Sequence, residues 1–158
     1  MSAPPSIRPY RGEDRDAVAR MLADSDPWKA LGYTAQDWDG LLAVPLQGRE
    51  GFVIETAGTA AGMALLRQRF LLGDYLELLV IAPAAQGTGL GGLLLDHLET
   101  LVFARTKNLF VCVSDFNLTA RQFYERHGYR EIGPIPNFLI QGSAEILMRK
   151  TSGPVRKS

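Results

Sequence analysis

The sequence predicts an α/β (α+β) fold: a mixed, largely antiparallel central sheet of about six to seven strands, flanked by about four helices. Three observations carry this. Leu76, Leu78, Leu79, Val80 and Ile81 form a near-continuous apolar run ended by Pro83, as expected of a strand covered on both faces. A glycine-rich loop, a helical apolar pattern and a further strand pattern follow it. Two strand-like segments joined by a short turn precede it. Antiparallel strands and a strand–helix–strand unit therefore share one sheet.

The chain has 158 residues, enough for one domain with a sizeable core and too few for two ordinary ones. Residues 1–158 read as a single domain, with frayed ends near 1–6 and 151–158. Lys plus Arg equal Asp plus Glu at 17 each, so no general attraction to nucleic acid or to an anionic membrane is expected. No apolar run reaches transmembrane length, and MSAPPSIRPY lacks a signal-peptide core. A single cysteine allows no internal disulfide. A cytoplasmic enzyme without a metal is the simplest expectation.

The elements follow in order. Ile7 to Tyr10 reads as a first strand. Glu13 to Ala23 reads as a helix, with Ala17, Val18, Met21 and Leu22 at helical spacing and acids near its start. Thr34 can cap a second helix from Ala35 to Leu42. Residues 24–39 hold Trp28, Tyr33 and Trp38, and four aspartates against one cation, Lys29. These rings either pack the helix on the sheet or form a wall that suits a cationic amine. Gly51 to Thr56 and Ala60 to Leu72 form a hairpin around Ala57-Gly58-Thr59. Gly73-Asp74 is expected to turn into the strand at Tyr75.

After that strand come Gly87, Gly89, Gly91 and Gly92. Glycines let a backbone approach a ligand closely, and a helix start offers free N–H groups and a partial positive charge. This is a phosphate site in outline. No Lys lies between Ala82 and Ala104, which excludes a P-loop. Gly87, Gly89 and Gly92 satisfy G-x-G-x-x-G, but the acidic residue that a dinucleotide fold wants at the end of the next strand is missing. The helix runs to about Arg105, with Leu90, Leu93, Leu94, Leu98, Leu101 and Val102 as its apolar stripe. His97 beside it reads as a packed histidine. Leu109 to Val113 is the next strand, and Cys112 within it reads as a small buried thiol.

Asn117 can cap a helix that ends near His127, with Gly128 as its stop. Asn117 and Tyr124 lie seven residues apart, nearly two turns, so they share a face. A strand starting at Tyr129 is expected to be interrupted by Pro134 and Pro136. Ala144 to Arg149 closes the sheet, and the hairpin brings Phe138 towards the same end.

Two patterns are more specific than the rest. Gln86, Gly89 and Gly91 match Gln/Arg-x-x-Gly-x-Gly/Ala. Asn117, Ala120, Phe123-Tyr124 and Gly128-Tyr129 match N-x-x-A-x-x-F-Y-x-x-x-G-[FY]. In these stretches the chain resembles the GNAT N-acetyltransferase superfamily, and in order of elements it does so over about residues 7–149. The resemblance implies acetyl transfer from acetyl-CoA to a primary amine by direct attack in a ternary complex. It also admits a homodimer. The backbone of Leu79, Val80 and Ile81 would pair with pantetheine, and the Ile81 amide would bind the oxyanion. Gln86 and the amides of Gly87, Thr88, Gly89, Leu90, Gly91 and Gly92 would form the pyrophosphate loop. Asn117 would hold the pantetheine arm, and Tyr124 would protonate the leaving thiolate. Glu77, the one acid in the apolar strand, is the base candidate, with alternation placing it on the face of Leu79 and Ile81. Trp28, Tyr33, Tyr75 and Phe138 are the acceptor-site candidates. A non-catalytic acyl-CoA-binding or sensor module on the same fold is the alternative, and a Rossmann enzyme a weaker one.

Overall fold

The computed structural model describes residues 3–157. Of the frayed ends expected near 1–6 and 151–158, residues 1, 2 and 158 lie outside these, while Ser6 and Thr151 belong to strands. Seven strands form one sheet: β1 (Ser6–Pro9), β2 (Arg49–Thr56), β3 (Thr59–Phe70), β4 (Gly73–Ile81), β5 (Asn108–Ser114), β6 (Arg130–Pro136) and β7 (Ala144–Thr151). Four α-helices accompany them: α1 (Arg15–Ala23), α2 (Asp39–Leu42), α3 (Leu90–Arg105) and α4 (Leu118–Arg126). The strand order is β1-β2-β3-β4-β5-β7-β6. Every pair is antiparallel except β4 with β5, the pair joined through α3.

The sheet is covered on both faces. One core holds Leu90, Leu94, Leu95, Leu98 and Val102 of α3 against Ile54, Leu66, Leu76, Leu109 and Val111. The other holds Val18 and Leu22 of α1, Trp38 and Leu42 against Val53, Met63, Leu65, Leu78 and Val80. Full burial of a leucine or valine stabilises by roughly 1.5–3 kcal/mol, so these helices are held mainly by the sheet. In α3 the stripe differs in one place from the periodic reading: Leu93 is exposed and Leu95 is buried instead.

Four local expectations need correction. The first helix starts with a 3-10 turn, Gly12–Asp14, before α1. The second, expected as one helix over 35–42, is a 3-10 helix, Ala35–Trp38, running into the single turn of α2. Thr34 stands at its N-cap, but the capping group is Asp37: the Thr34 backbone N–H and hydroxyl donate to Asp37 Oδ2 at 2.6 and 3.1 Å. The β3–β4 turn lies at Leu71-Leu72, not Gly73-Asp74, and both leucines have positive φ, 45° and 57°. Lastly, Pro134 and Pro136 do not interrupt their strand. β6 lies at the sheet edge, where alternate N–H groups point to solvent, so a proline there breaks no ladder hydrogen bond.

One irregularity positions the site. The β3–β4 register shifts between Leu65/Leu78 and Leu66/Leu76, which leaves Glu77 as the extra residue of a β-bulge. Leu78 and Val80 face the α1 side, whereas Leu79 and Ile81 pack on the α3 side. Across the bulge, Leu76 returns to the α3 side. The alternation that would put Glu77 with Leu79 and Ile81 is therefore broken at Glu77 itself.

Candidate active site

The parallel pair β4–β5 is short. Its register covers only Asp74–Leu76 against Leu109–Val111. Beyond Leu76 the two strands part, and β4 keeps only β3 as a partner. The Ala82 N–H donates to the Ala61 carbonyl at 2.8 Å, which makes that pair a hydrogen-bonded one. In an antiparallel ladder such pairs alternate. Ile81 and Leu79 therefore turn their N–H and C=O groups away from β3, into the opening. A cleft of about 430 Å³ lies here, lined by both strands, Asn117, Tyr124 and the segment holding Trp28 and Tyr33. An extended chain can add there as a strand would.

The glycine loop closes one end of β4. Gly87 and Gly89 have φ of 77° and 85°, and a Cβ built on either meets nothing within 4 Å. Backbone conformation, not crowding, requires glycine at both. Gly89 is the N-cap of α3, whose first intrahelical bond runs from Leu93 N–H to the Gly89 carbonyl at 3.2 Å. The N–H groups of Leu90, Gly91 and Gly92 thus lack helical acceptors, at the positive end of a 16-residue helix. The Thr88 hydroxyl donates to the Ala85 carbonyl and Gln86 Nε2 to the Ile81 carbonyl at 3.1 Å. Gln86 thereby ties the loop to the open edge of β4.

Asn117 caps α4, its Oδ1 accepting from Ala120 N–H at 3.2 Å. That leaves the amide NH2 to face the cleft that the residue lines. Replacing Asn117 by Ala removes the cap, and we expect a loss of about 1 kcal/mol in urea unfolding. No change in the unfolding midpoint would show the cap to be energetically idle. Tyr124 lies nearly two turns on, 6% exposed, edge-on to Phe123 and Tyr129. Burial pushes its hydroxyl pKa well above that of an ordinary tyrosine, so it stays protonated at neutral pH.

The acceptor candidates also meet at this cleft. Trp28, Tyr33, Tyr75 and Phe138 all line it. Trp28 packs edge-on against Trp38, and Tyr33 stacks on Trp38 at 5.2 Å, so one buried indole holds two wall residues. Of the four aspartates in this segment only Asp26 lines the cleft. Asp37 caps the 3-10 helix, Asp39 pairs with Arg15, and Asp24 is exposed. The expected acidic wall is thus mostly structural. Cys112 lies beside Tyr75, and burial raises its thiol pKa, as suits an inert thiol. His97 packs edge-on to Phe52 at 5.3 Å, outside the cleft.

Glu77 reaches the cleft, but not as a lone acid in an apolar strand. Its Oε1 accepts from Arg67 at 2.9 Å, and Arg49 approaches Oε2 at 3.7 Å. Sequence reasoning missed a second carboxylate, Glu145 of β7. It is 7% exposed, lines the cleft and accepts from Ser114 Oγ–H at 2.6 Å. The available signal was a single acid in the run AEILM, the same feature that drew attention to Glu77.

An open strand edge between a glycine-lined helix start and a buried tyrosine defines the class of acyl-CoA-handling folds. The chain belongs to the GNAT acetyltransferases, as residues 34–152 match the model of the acetyltransferase (GNAT) domain. It is 32% identical over 101 residues to an uncharacterised N-acetyltransferase of Methanocaldococcus jannaschii. That match covers 63% of this chain and 64% of the relative. Among solved structures, the ribosomal-protein-S18-alanine N-acetyltransferase of Escherichia coli superposes with a TM-score of 0.80 at 19% identity, over 98% of each chain. An aminoglycoside 6'-N-acetyltransferase in complex with coenzyme A superposes with a TM-score of 0.75 at 17% identity, covering 97% of this chain and 99% of its own. At these identities the likeness is one of fold.

Proposed function

We propose that this protein transfers acetyl from acetyl-CoA to a primary amine by direct attack within a ternary complex. The observation that carries the reading is the unpaired edge of β4 between the glycine loop and Tyr124. Pantetheine adds to that edge through the backbone of Leu79 and Ile81, whereas the backbone groups of Val80, expected to take part, turn to β3. Its pyrophosphate is held by the amides of residues 87–92, where negative charge is favoured. The Asn117 amide NH2 donates to a pantetheine carbonyl. The Ile81 N–H, turned away from β3, stabilises the oxyanion as it forms. Tyr124, kept neutral by burial, gives its proton to the departing thiolate. The test is a screen of amines with purified protein and acetyl-CoA that reads free thiol, with calorimetry alongside. Binding of NAD without binding of acetyl-CoA would sink this reading.

The acceptor arrives as a cation, because an alkylamine is protonated at neutral pH. The rings of Trp28, Tyr33, Tyr75 and Phe138 offer it π faces, and Asp26 a charge at the rim. Trp28→Ala is expected to raise the acceptor KM several-fold, corresponding to about 0.5–2 kcal/mol of lost cation–π contact, while the KM for acetyl-CoA changes less. Equal acceptor KM values in the mutant and the wild type would leave Trp28 a packing residue only.

A further inference from the structure

We propose that Glu145, rather than Glu77, is the group that takes the proton from the acceptor amine. The proposal rests on the acetyl-transfer reading above and names a residue of that same site.

Glu145 pairs with Ser114 on one side and with Ile135 of β6 on the other, so its backbone is fixed inside the sheet. Its side chain is directed by one hydrogen bond, from Ser114 Oγ–H to Oε2 at 2.6 Å. Ser114 is fully buried. Its carbonyl accepts from Asn117 N–H at 2.9 Å. The carboxylate and the residue that holds the pantetheine arm are thus joined through Ser114. Glu145, Asn117 and Tyr124 line one cleft.

The charged surroundings separate the cleft carboxylates. Glu77 is flanked by Arg67 and Arg49. Asp26 lies at the exposed rim and accepts from Ala30 N–H. Glu145 has no lysine or arginine within ion-pair distance among the described residues. From β5 it faces Ser114 and Cys112, and just beyond that strand the carboxylate of Asp115; from β4 it faces Tyr75. Of α4, Ala120 and the uncharged Tyr124 line the same cleft, and its β6 neighbour is Ile135. Burial, the largest influence, raises its pKa above the ordinary carboxylate range. The Ser114 hydrogen bond opposes this, and Asp115 adds to it. A buried carboxylate in the cleft with no cationic partner is suited to take up a proton.

The step balances as follows. The ammonium group gives one proton to Glu145 Oε1, the oxygen not bonded to Ser114, and Glu145 passes it to solvent. The freed nitrogen lone pair forms the C–N bond to the thioester carbonyl carbon. The C–S bond breaks with its electron pair on sulfur, and sulfur takes the Tyr124 hydroxyl proton. The second nitrogen proton is lost as the amide forms and restores Tyr124. One amide, one free thiol and one solvent proton result from one ammonium and one thioester.

The experiment compares the wild type with Glu145→Gln, Glu77→Gln and Ser114→Ala, all checked for folding by circular dichroism. Two probe amines of different basicity are used: the side-chain amine of Nα-acetyl-lysine amide, near pKa 10.4, and the α-amine of alanine amide, near 7.7–8.0. An acid limb of kcat/KM that shifts with the amine belongs to the amine. One that stays fixed belongs to the enzyme. Glu145→Gln is expected to lose the fixed limb and to lower kcat by roughly 10²–10⁴-fold. In Glu77→Gln the fixed limb persists. Ser114→Ala removes a donor that favours the carboxylate, so the limb moves to higher pH while Glu145 remains. Independently of any acceptor, infrared titration of the whole protein should show a protonated-carboxyl band that is absent in Glu145→Gln and moved to higher pH in Ser114→Ala. A Glu145→Gln enzyme with wild-type kcat, or a fixed limb lost in Glu77→Gln instead, overturns the assignment. So does a wild-type spectrum without the Glu145 band, whether or not either amine is a substrate. Acetyl-CoA binding is measured by calorimetry on the same samples. Its absence in the wild type defeats the acetyl-transfer reading, whereas binding with a dispensable Glu145 defeats only this proposal.

Discussion

Tyr124→Phe is expected to keep acetyl-CoA affinity and to lower kcat by roughly 10²–10⁴-fold. The substitution removes one hydroxyl and leaves the ring edge-on to Phe123 and Tyr129. Little stability is at stake, because packing is unchanged. What disappears is the proton that neutralises a departing thiolate. A general acid acts in the transition state, so kcat and kcat/KM fall together, and the KM for acetyl-CoA stays close to that of the wild type. The measurement is steady-state kinetics at saturating acceptor, with calorimetry for the cofactor. An unchanged kcat, when chemistry limits the rate, would mean that Tyr124 only fills the core beneath the cleft.

The second large effect concerns Gly89→Val. At φ of 85° a β-branched residue is strained, by roughly 1–2 kcal/mol for a left-handed L-residue. A Cβ at this position meets no neighbour within 4 Å, so crowding at the first side-chain carbon is not the obstacle. The backbone relieves its strain by leaving the left-handed region, and that re-aims the first amides of α3. Each charge-assisted bond lost to pyrophosphate is worth roughly 1.5–3 kcal/mol. The Kd for acetyl-CoA then rises roughly 10- to 150-fold per bond. Calorimetry measures this directly, with thermal unfolding as the control. Wild-type affinity in a folded Gly89→Val protein would mean that the loop amides do not hold the ligand.

Much of this was legible in the sequence, and the remainder was not for physical reasons. The glycine loop, the Asn117 cap and the burial of Tyr124 follow from local rules: positive φ, capping and helical spacing. Most of the strands follow from short apolar runs and the turns between them. Glu77 was misread because alternation was counted through a bulge, and a bulge is a property of two strands in register. Nothing in LELLVI announces that Leu65 and Leu66 oppose a strand with one extra residue. Its arginine partners were equally hidden, since Arg49 and Arg67 come from β2 and β3. Glu145 was passed over because its importance depends on Ser114, 31 residues earlier. Pro134 and Pro136 were read as breakers because strand order, and with it the edge position of β6, is not a local property.

Those two prolines also bear on how copies of this chain can meet. A free sheet margin with regular outward N–H groups is a template on which another strand can grow, in a continuous intermolecular sheet or an aggregate. Pro134 and Pro136, two residues apart, present ring carbons along the β6 margin where donors would stand. The opposite margin, β1, is only four residues long and ends in Pro9. Neither rim of the sheet offers a run of hydrogen-bond donors to a neighbour. The vacancy inside the sheet, between β4 and β5, offers an extended partner the backbone groups of Leu79 and Ile81. This architecture steers strand addition away from other proteins and towards a thread-like ligand.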